Sequence, residues 1–157
     1  MQESYMPTVL VVYYSATGNT KKLVEGFTEG VKRVKGVEVI VKRVDEAKVE
    51  DMLEVDAIVF ASPSYFRLPA WPLKKFIDES IAVYEMLEDK IGGALCTAGS
   101  EIGGIKCIQA LKDVIEEHGM KFVGEGLWCI ETPDEEALEK AASYGEEIAK
   151  AVVQRIK

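Results

Sequence analysis

Six consecutive residues, Ser15-Ala16-Thr17-Gly18-Asn19-Thr20, place three hydroxyls, a carboxamide and a glycine between an apolar run and an amphipathic one. At the start of a helix, such groups and the free backbone N–H donors suit a phosphate monoester. The helix dipole favours the dianion, and no lysine or arginine is needed in the loop. A polar helix cap would account for an isolated Ser/Thr/Asn cluster. Five polar or permissive residues in six, ending a candidate central strand, favour a ligand loop instead.

Several rival phosphate chemistries are absent. The sequence contains no GxxxxGK[ST], and no GxGxxG follows the first apolar run, so neither an NTPase P-loop nor a dinucleotide fingerprint is present. A receiver-type signalling domain needs a carboxylate pair after its first strand and an Asp after its third. This chain has Tyr13-Tyr14-Ser15 and Ser62 at those places, and it has no Cys-x5-Arg phosphatase loop.

The elements that must position the loop alternate. Val9–Tyr14, Ala57–Ala61 and Ala94–Thr97 are continuous apolar runs, as expected of strands covered on both faces. Val37–Lys42 mixes in polar residues like an edge strand, and Gly126–Ile130 supplies a fifth strand. Between them, Leu23, Val24, Phe27, Val31 and Val34 share one helical face, as do Leu73, Phe76, Ile77 and Ile81, and then Ile108, Leu111 and Ile115. The last helix keeps its spacing from Leu138 to Ile156, and Thr132-Pro133-Asp134-Glu135 predicts a capping box with proline at the first helical position. His118-Gly119 is expected to end the third helix with a cationic histidine and a left-handed glycine.

This alternation implies right-handed crossovers and a three-layer α/β sandwich with a five-stranded parallel sheet of order 2-1-3-4-5. Ligands in such sheets bind beyond the carboxyl ends of the strands, where the order reverses. Function is therefore expected in the loops after strands one, three and four.

Composition narrows the class. The 157 residues fit one domain, 1–157, and no apolar run approaches the ~18 residues of a membrane span. Residues 1–8 show no secretory pattern, so a cytoplasmic location is expected. The three cysteines are odd in number and set among apolar residues, which suits reduced core thiols; with a single histidine they fall short of a metal set, and no metal is expected. A net charge of −8 disfavours nucleic acid and anionic membranes as partners and favours a basic protein surface.

Two motifs then carry a resemblance. Ser15–Thr20 is similar to the (S/T)-x-TGNT phosphate loop of flavodoxins. Pro63-Ser64-Tyr65-Phe66 followed by Pro72-Leu73-Lys74-Lys75-Phe76-Ile77-Asp78 resembles the signature of flavodoxin-like NAD(P)H:quinone oxidoreductases, with the same spacing between its halves. The resemblance covers nearly the whole chain in element order and implies a flavodoxin-like fold with FMN as cofactor. It implies that Ser15, Ala16, Thr17, Gly18, Asn19 and Thr20 hold the phosphate. Pro63, Ser64, Tyr65 and Phe66 would lie along the isoalloxazine ring. The third loop, Thr97-Ala98-Gly99-Ser100-Glu101-Ile102-Gly103-Gly104, resembles the oxidoreductases' T-G-T-x-x-G-G segment. Its Thr97, Ala98, Gly99, Ser100 and Gly103 would meet the ring edge and ribityl chain. The chain departs from the oxidoreductases at Arg67-Leu68-Pro69-Ala70-Trp71, where Arg67 faces substrate or solvent and Trp71 covers the flavin or packs as a staple.

The resemblance implies a flavodoxin-type electron carrier docking a basic redox partner. Its alternatives are an NAD(P)H-dependent oxidoreductase acting on a quinone-like acceptor or on flavin, and a non-catalytic FMN-binding module.

Overall fold

In the computed structural model, which describes residues 5–156, a parallel sheet carries helices on both faces. Met1–Ser4, the start of the segment read for a secretory pattern, lie outside the described residues. In chain order the elements are β1 (Thr8–Tyr13), α1 (Asn19–Lys32), β2 (Glu38–Arg43), β3 (Ala57–Tyr65) and β4 (Leu68–Pro69). They continue with α2 (Trp71–Glu79), β5 (Ile91–Ala98), α3 (Glu101–Glu117), β6 (Lys121–Phe122), β7 (Leu127–Ile130) and α4 (Glu135–Arg155). None of the described helices is long and apolar enough to cross a membrane.

The sheet order is β2-β1-β3-β5, with β6 and β7 both pairing in parallel with β5. This is the expected 2-1-3-4-5 order, with the fifth position shared by two short segments. Gly124 and Gly126, at φ 68° and 74°, bend the chain between them, so Gly126 precedes the last strand instead of starting it.

Strand alternation builds two cores, one on each face. Val9, Val11, Tyr13, Val59 and Leu95 pack beneath α1 and α4, while Leu10, Val12, Ile58, Phe60 and Cys96 meet α2 and α3. The three central strands are therefore buried on both sides, the physical origin of their uninterrupted apolar runs. On the edge strand β2, Ile40 and Val41 are exposed.

Helices α1 and α4 approach closely because glycine lies at the crossing. A Cβ on Gly30 would sit 1.7 Å from the Ala142 carbonyl oxygen, and one on Gly145 would sit 2.1 Å from that of Phe27.

Four local expectations are corrected. Asp134 caps α4, accepting a hydrogen bond from the Ala137 N–H at 2.8 Å; Pro133 precedes the cap and is not the first helical residue. Ile81 lies in a 3-10 turn beyond α2 and is 71% exposed, so it leaves the buried face. Trp71 opens α2 at 74% exposure, which does not fit a packed staple.

The fourth concerns the end of α3, where Gly119 adopts the expected left-handed φ of 80° but His118 is buried. Ser80 Oγ–H donates to the Ile77 carbonyl at 2.6 Å, so His118 Nε2–H donates to Ser80 Oγ at 2.8 Å, while the buried Nδ1 has no partner among the described residues. Burial lowers the His118 pKa below its ordinary value, making the residue neutral and not the cationic cap expected.

Candidate functional site

The phosphate-type loop is shaped by its first residue. Ser15 Oγ accepts the N–H groups of Gly18 at 3.1 Å and Lys21 at 3.2 Å, folding the loop back onto the start of α1. Gly18 sits at φ 97°, a conformation open to glycine at little cost, with no atom within 4 Å of where a Cβ would stand. Asn19 and Thr20 begin the helix, so their N–H groups have no acceptor within it and mark the positive end of its dipole. Behind the loop, the Arg43 guanidinium donates to the Ser15 carbonyl at 3.1 Å and lies 5.4 Å from the Tyr14 ring centroid.

The second segment is more ordered than a loop. Strand β3 continues through Pro63, Ser64 and Tyr65, then reverses at Phe66-Arg67 into the antiparallel β4, pairing Ser64 with Pro69 and Tyr65 with Leu68. Both turn residues have positive φ, 54° and 69°, a two-residue hairpin geometry normally given to Asn or Gly. Ser62 Oγ pins the base by accepting the Ala70 N–H at 2.9 Å. Phe66 stands at the tip, 96% exposed.

Thr97 and Ala98 end β5, and only Gly99 and Ser100 separate them from α3. Ser100 Oγ caps α3 by accepting the Gly103 N–H at 3.1 Å, and the Ser64 hydroxyl donates to the Gly103 carbonyl at 2.8 Å, tying the second segment to the third. The buried hydroxyls of Thr20 and Thr97, 2.7 Å apart, tie the first to the third. Gly104 is needed for packing: a Cβ there would fall 2.7 Å from the Trp128 ring.

Together these segments line one cleft of about 190 Å³. Ala16, Thr17, Asn19, Thr20, Pro63, Ser64, Tyr65, Thr97, Ala98 and Gly99 face it. Ser15, Gly18, Ser100 and Gly103 lie behind that lining, where they shape the backbone, and Phe66 projects from the hairpin tip.

The sequence reading missed Glu131. It lines the cleft just after β7, held at φ 55° with its N–H bonded to the Ala98 carbonyl at 2.8 Å. Its neighbour Thr132 donates to Asn19 Oδ1 at 3.1 Å. Their position at the carboxyl end of the last strand was the available signal.

A donor-rich helix start, open space over Gly99 and a slot between two strand ends fit a phosphate monoester carrying a flat ring. Among the described residues no lysine or arginine lines the cleft, and Glu131 is the only charged one that does. Cys129, on the neighbouring β7, has its thiol pushed up to about 11 by burial and is no nucleophile at neutral pH.

Known proteins resemble this chain in sequence and fold. Residues 41–134 match the sequence model of a family described as NADPH-dependent FMN reductase. A flavodoxin from Clostridium saccharobutylicum is 31% identical across 93% of this chain and 98% of its own length. A flavodoxin from Aquifex aeolicus is 38% identical over 109 residues, which span 68% of this chain and 59% of that protein. Among solved structures, a flavodoxin from the domain Archaea superposes with a TM-score of 0.84 at 28% identity, covering 93% of this chain and 99% of that one.

Proposed function

The chain belongs to the flavodoxin-like family of FMN-binding redox flavoproteins, and from that premise we propose that it is a flavodoxin-type electron carrier whose cofactor sits in the three-segment cleft. The observation that carries this reading is the convergence of the Ser15–Thr20 loop, the β3 end and the β5 end on one cleft at the N-terminus of α1. Bound there, FMN supplies one- and two-electron chemistry.

The protein's part is placement and electrostatics. The first-turn N–H groups of Asn19 and Thr20, with the Thr17 hydroxyl and the Asn19 carboxamide, would hold the phosphate. The helix end contributes up to ~2 kcal/mol toward a dianion. Pro63, Ser64, Tyr65, Thr97, Ala98 and Gly99, which line the same cleft, would hold the ring. Ser15, Gly18, Ser100 and Gly103 would act from behind, and Phe66 would meet the cofactor only from the hairpin tip. Glu131 and the net charge of −8 disfavour added negative charge, which lowers the potential at which the cofactor accepts electrons. The same charge steers a redox partner with a basic surface. Residues 1–157 act as one domain in the cytoplasm.

One observation favours a second reading. Residues 41–134, matching the NADPH-dependent FMN reductase model, include the hairpin and the Gly99-Ser100 connection, and no aromatic side chain lines the cleft from the third segment. That leaves room for NAD(P)H and a quinone-like or flavin acceptor.

The test is a visible spectrum of the purified protein, with mass identification of the extracted chromophore and reconstitution of the apoprotein with FMN. Failure to take up FMN would sink the proposal. Anaerobic NADPH or NADH then separates the readings: rapid bleaching favours the reductase, whereas reduction only through a separate flavoprotein reductase favours the carrier.

A further inference from the structure

Cys96, at the end of β5, and Cys107, in the second turn of α3, are both fully buried, and their sulfurs lie 2.9 Å apart. That is closer than the ~3.5–4.0 Å at which non-bonded heavy atoms rest, and within about 1 Å of a covalent S–S distance. The two side chains come from elements that the fold fixes independently. Cys96 stands opposite Ser62 in the β3–β5 register and opposite Trp128 on β7. Cys107 packs in the same core from α3. The third cysteine, Cys129, stands opposite Thr97 and is only half-buried.

Both thiols are free in the structure, as their apolar surroundings led us to expect, and we propose that Cys96 and Cys107 are a redox pair that an oxidant converts to an intramolecular disulfide, a modification site that closes the chain into a ring around Thr97–Lys106. That ring contains the whole third segment of the cleft, from Thr97 through Ser100 to the Gly103 carbonyl that receives Ser64. The bond therefore ties the Gly99-Ser100 connection at both ends and holds α3 against β5. The inference rests on sulfur geometry alone and stands whether or not the cleft binds FMN.

The oxidant is a low-molecular-weight disulfide. The thiolate of one cysteine attacks a sulfur of the reagent, forming a mixed disulfide and releasing one small thiol. The second cysteine's thiolate attacks the protein sulfur of that mixed disulfide, forming the Cys96–Cys107 bond and releasing the second small thiol. The two cysteine protons end on the two released thiols, and the two electrons lost by the pair reduce the reagent. Burial raises the Cys96 thiol pKa well above its ordinary value, so exchange is slow in the closed fold and fast while the chain folds or opens.

The experiment refolds the full chain from its reduced, denatured state in a mixture of reduced and oxidised glutathione, then counts thiols in denaturant. The expected count falls from the three cysteines of the sequence to one. The mass drops by two hydrogens, and a proteolytic digest yields a linked peptide pair carrying Cys96 and Cys107. Cys129→Ser, which leaves the core pair untouched, should refold with no free thiol. Three titratable thiols after refolding, a bridge through Cys129, or glutathione retained as a mixed disulfide on either buried cysteine would each overturn the proposal.

Discussion

Replacing Ser15 with alanine removes a single oxygen from behind the cleft, and its cost can be worked out from two contacts. Ser15 Oγ accepts the Gly18 and Lys21 N–H groups at 3.1 and 3.2 Å, and the residue is buried. Each such bond contributes about 0.5–1.5 kcal/mol net, and a helix-start acceptor of this kind typically about 1 kcal/mol. Ser15 and Gly18 lie off the cleft lining, so a bound phosphate does not replace the lost acceptor. We expect Ser15→Ala to destabilise the FMN-bound state by about 2 kcal/mol in total. If the apoprotein keeps its loop ordered without the hydroxyl, the whole cost appears in urea unfolding of the apoprotein. If the loop loosens, part of it appears as weaker FMN binding, at tenfold for every ~1.4 kcal/mol. Urea unfolding of the apoprotein and FMN titration together recover the sum, however it divides. A sum below about 0.5 kcal/mol would refute the claim that Ser15 holds the loop.

Three further outcomes are expected. Gly30→Ala drives a methyl into the Ala142 carbonyl, where neither backbone yields easily. Despite ~1 kcal/mol of gained helix propensity, urea denaturation should show a loss of about 2–3 kcal/mol, and an unchanged midpoint would mean that α1 and α4 do not cross as described. His118 has a folded pKa below its ordinary 6.5, so the unfolded chain takes up a proton the folded one refuses; its contribution is intact above pH 6.5 and lost as pH falls below that value. Wild type should therefore lose stability on acidification faster than His118→Gln, and parallel pH profiles would contradict a buried neutral imidazole. Glu131→Gln removes the one charge lining the cleft and should raise the cofactor's reduction potential and tighten FMN binding two- to fivefold, about 0.5–1 kcal/mol, by redox and fluorescence titration. A lower potential in that variant would show that Glu131 does not face the cofactor.

Much of this architecture is written locally. The runs Val9–Tyr14 and Ala57–Ala61 read as central strands because their length is that of a strand and covering on both faces lets apolar residues run on uninterrupted. The Ser15–Thr20 loop was legible because a turn needing positive φ, a helix start and a set of polar side chains leave marks in adjacent residues. The hairpin at Phe66-Arg67 was not, since neither residue prefers positive φ. The cross-strand pairs and the Ser62–Ala70 bond impose that conformation from outside the turn.

The sequence by itself determined the order of strands and helices, the residues of the phosphate-type loop and, through two motifs, the cofactor, since each depends on neighbours a few positions apart. Tertiary structure alone decided the rest. It brought Glu131 to the cleft, set the Ser15 hydroxyl onto the Gly18 and Lys21 N–H groups, and neutralised His118 by burying it on Ser80. It also set the sulfurs of Cys96 and Cys107 side by side. Each of these is a meeting between elements far apart in the chain, fixed by how helices settle on a twisted sheet, and residue spacing carries no record of such distances.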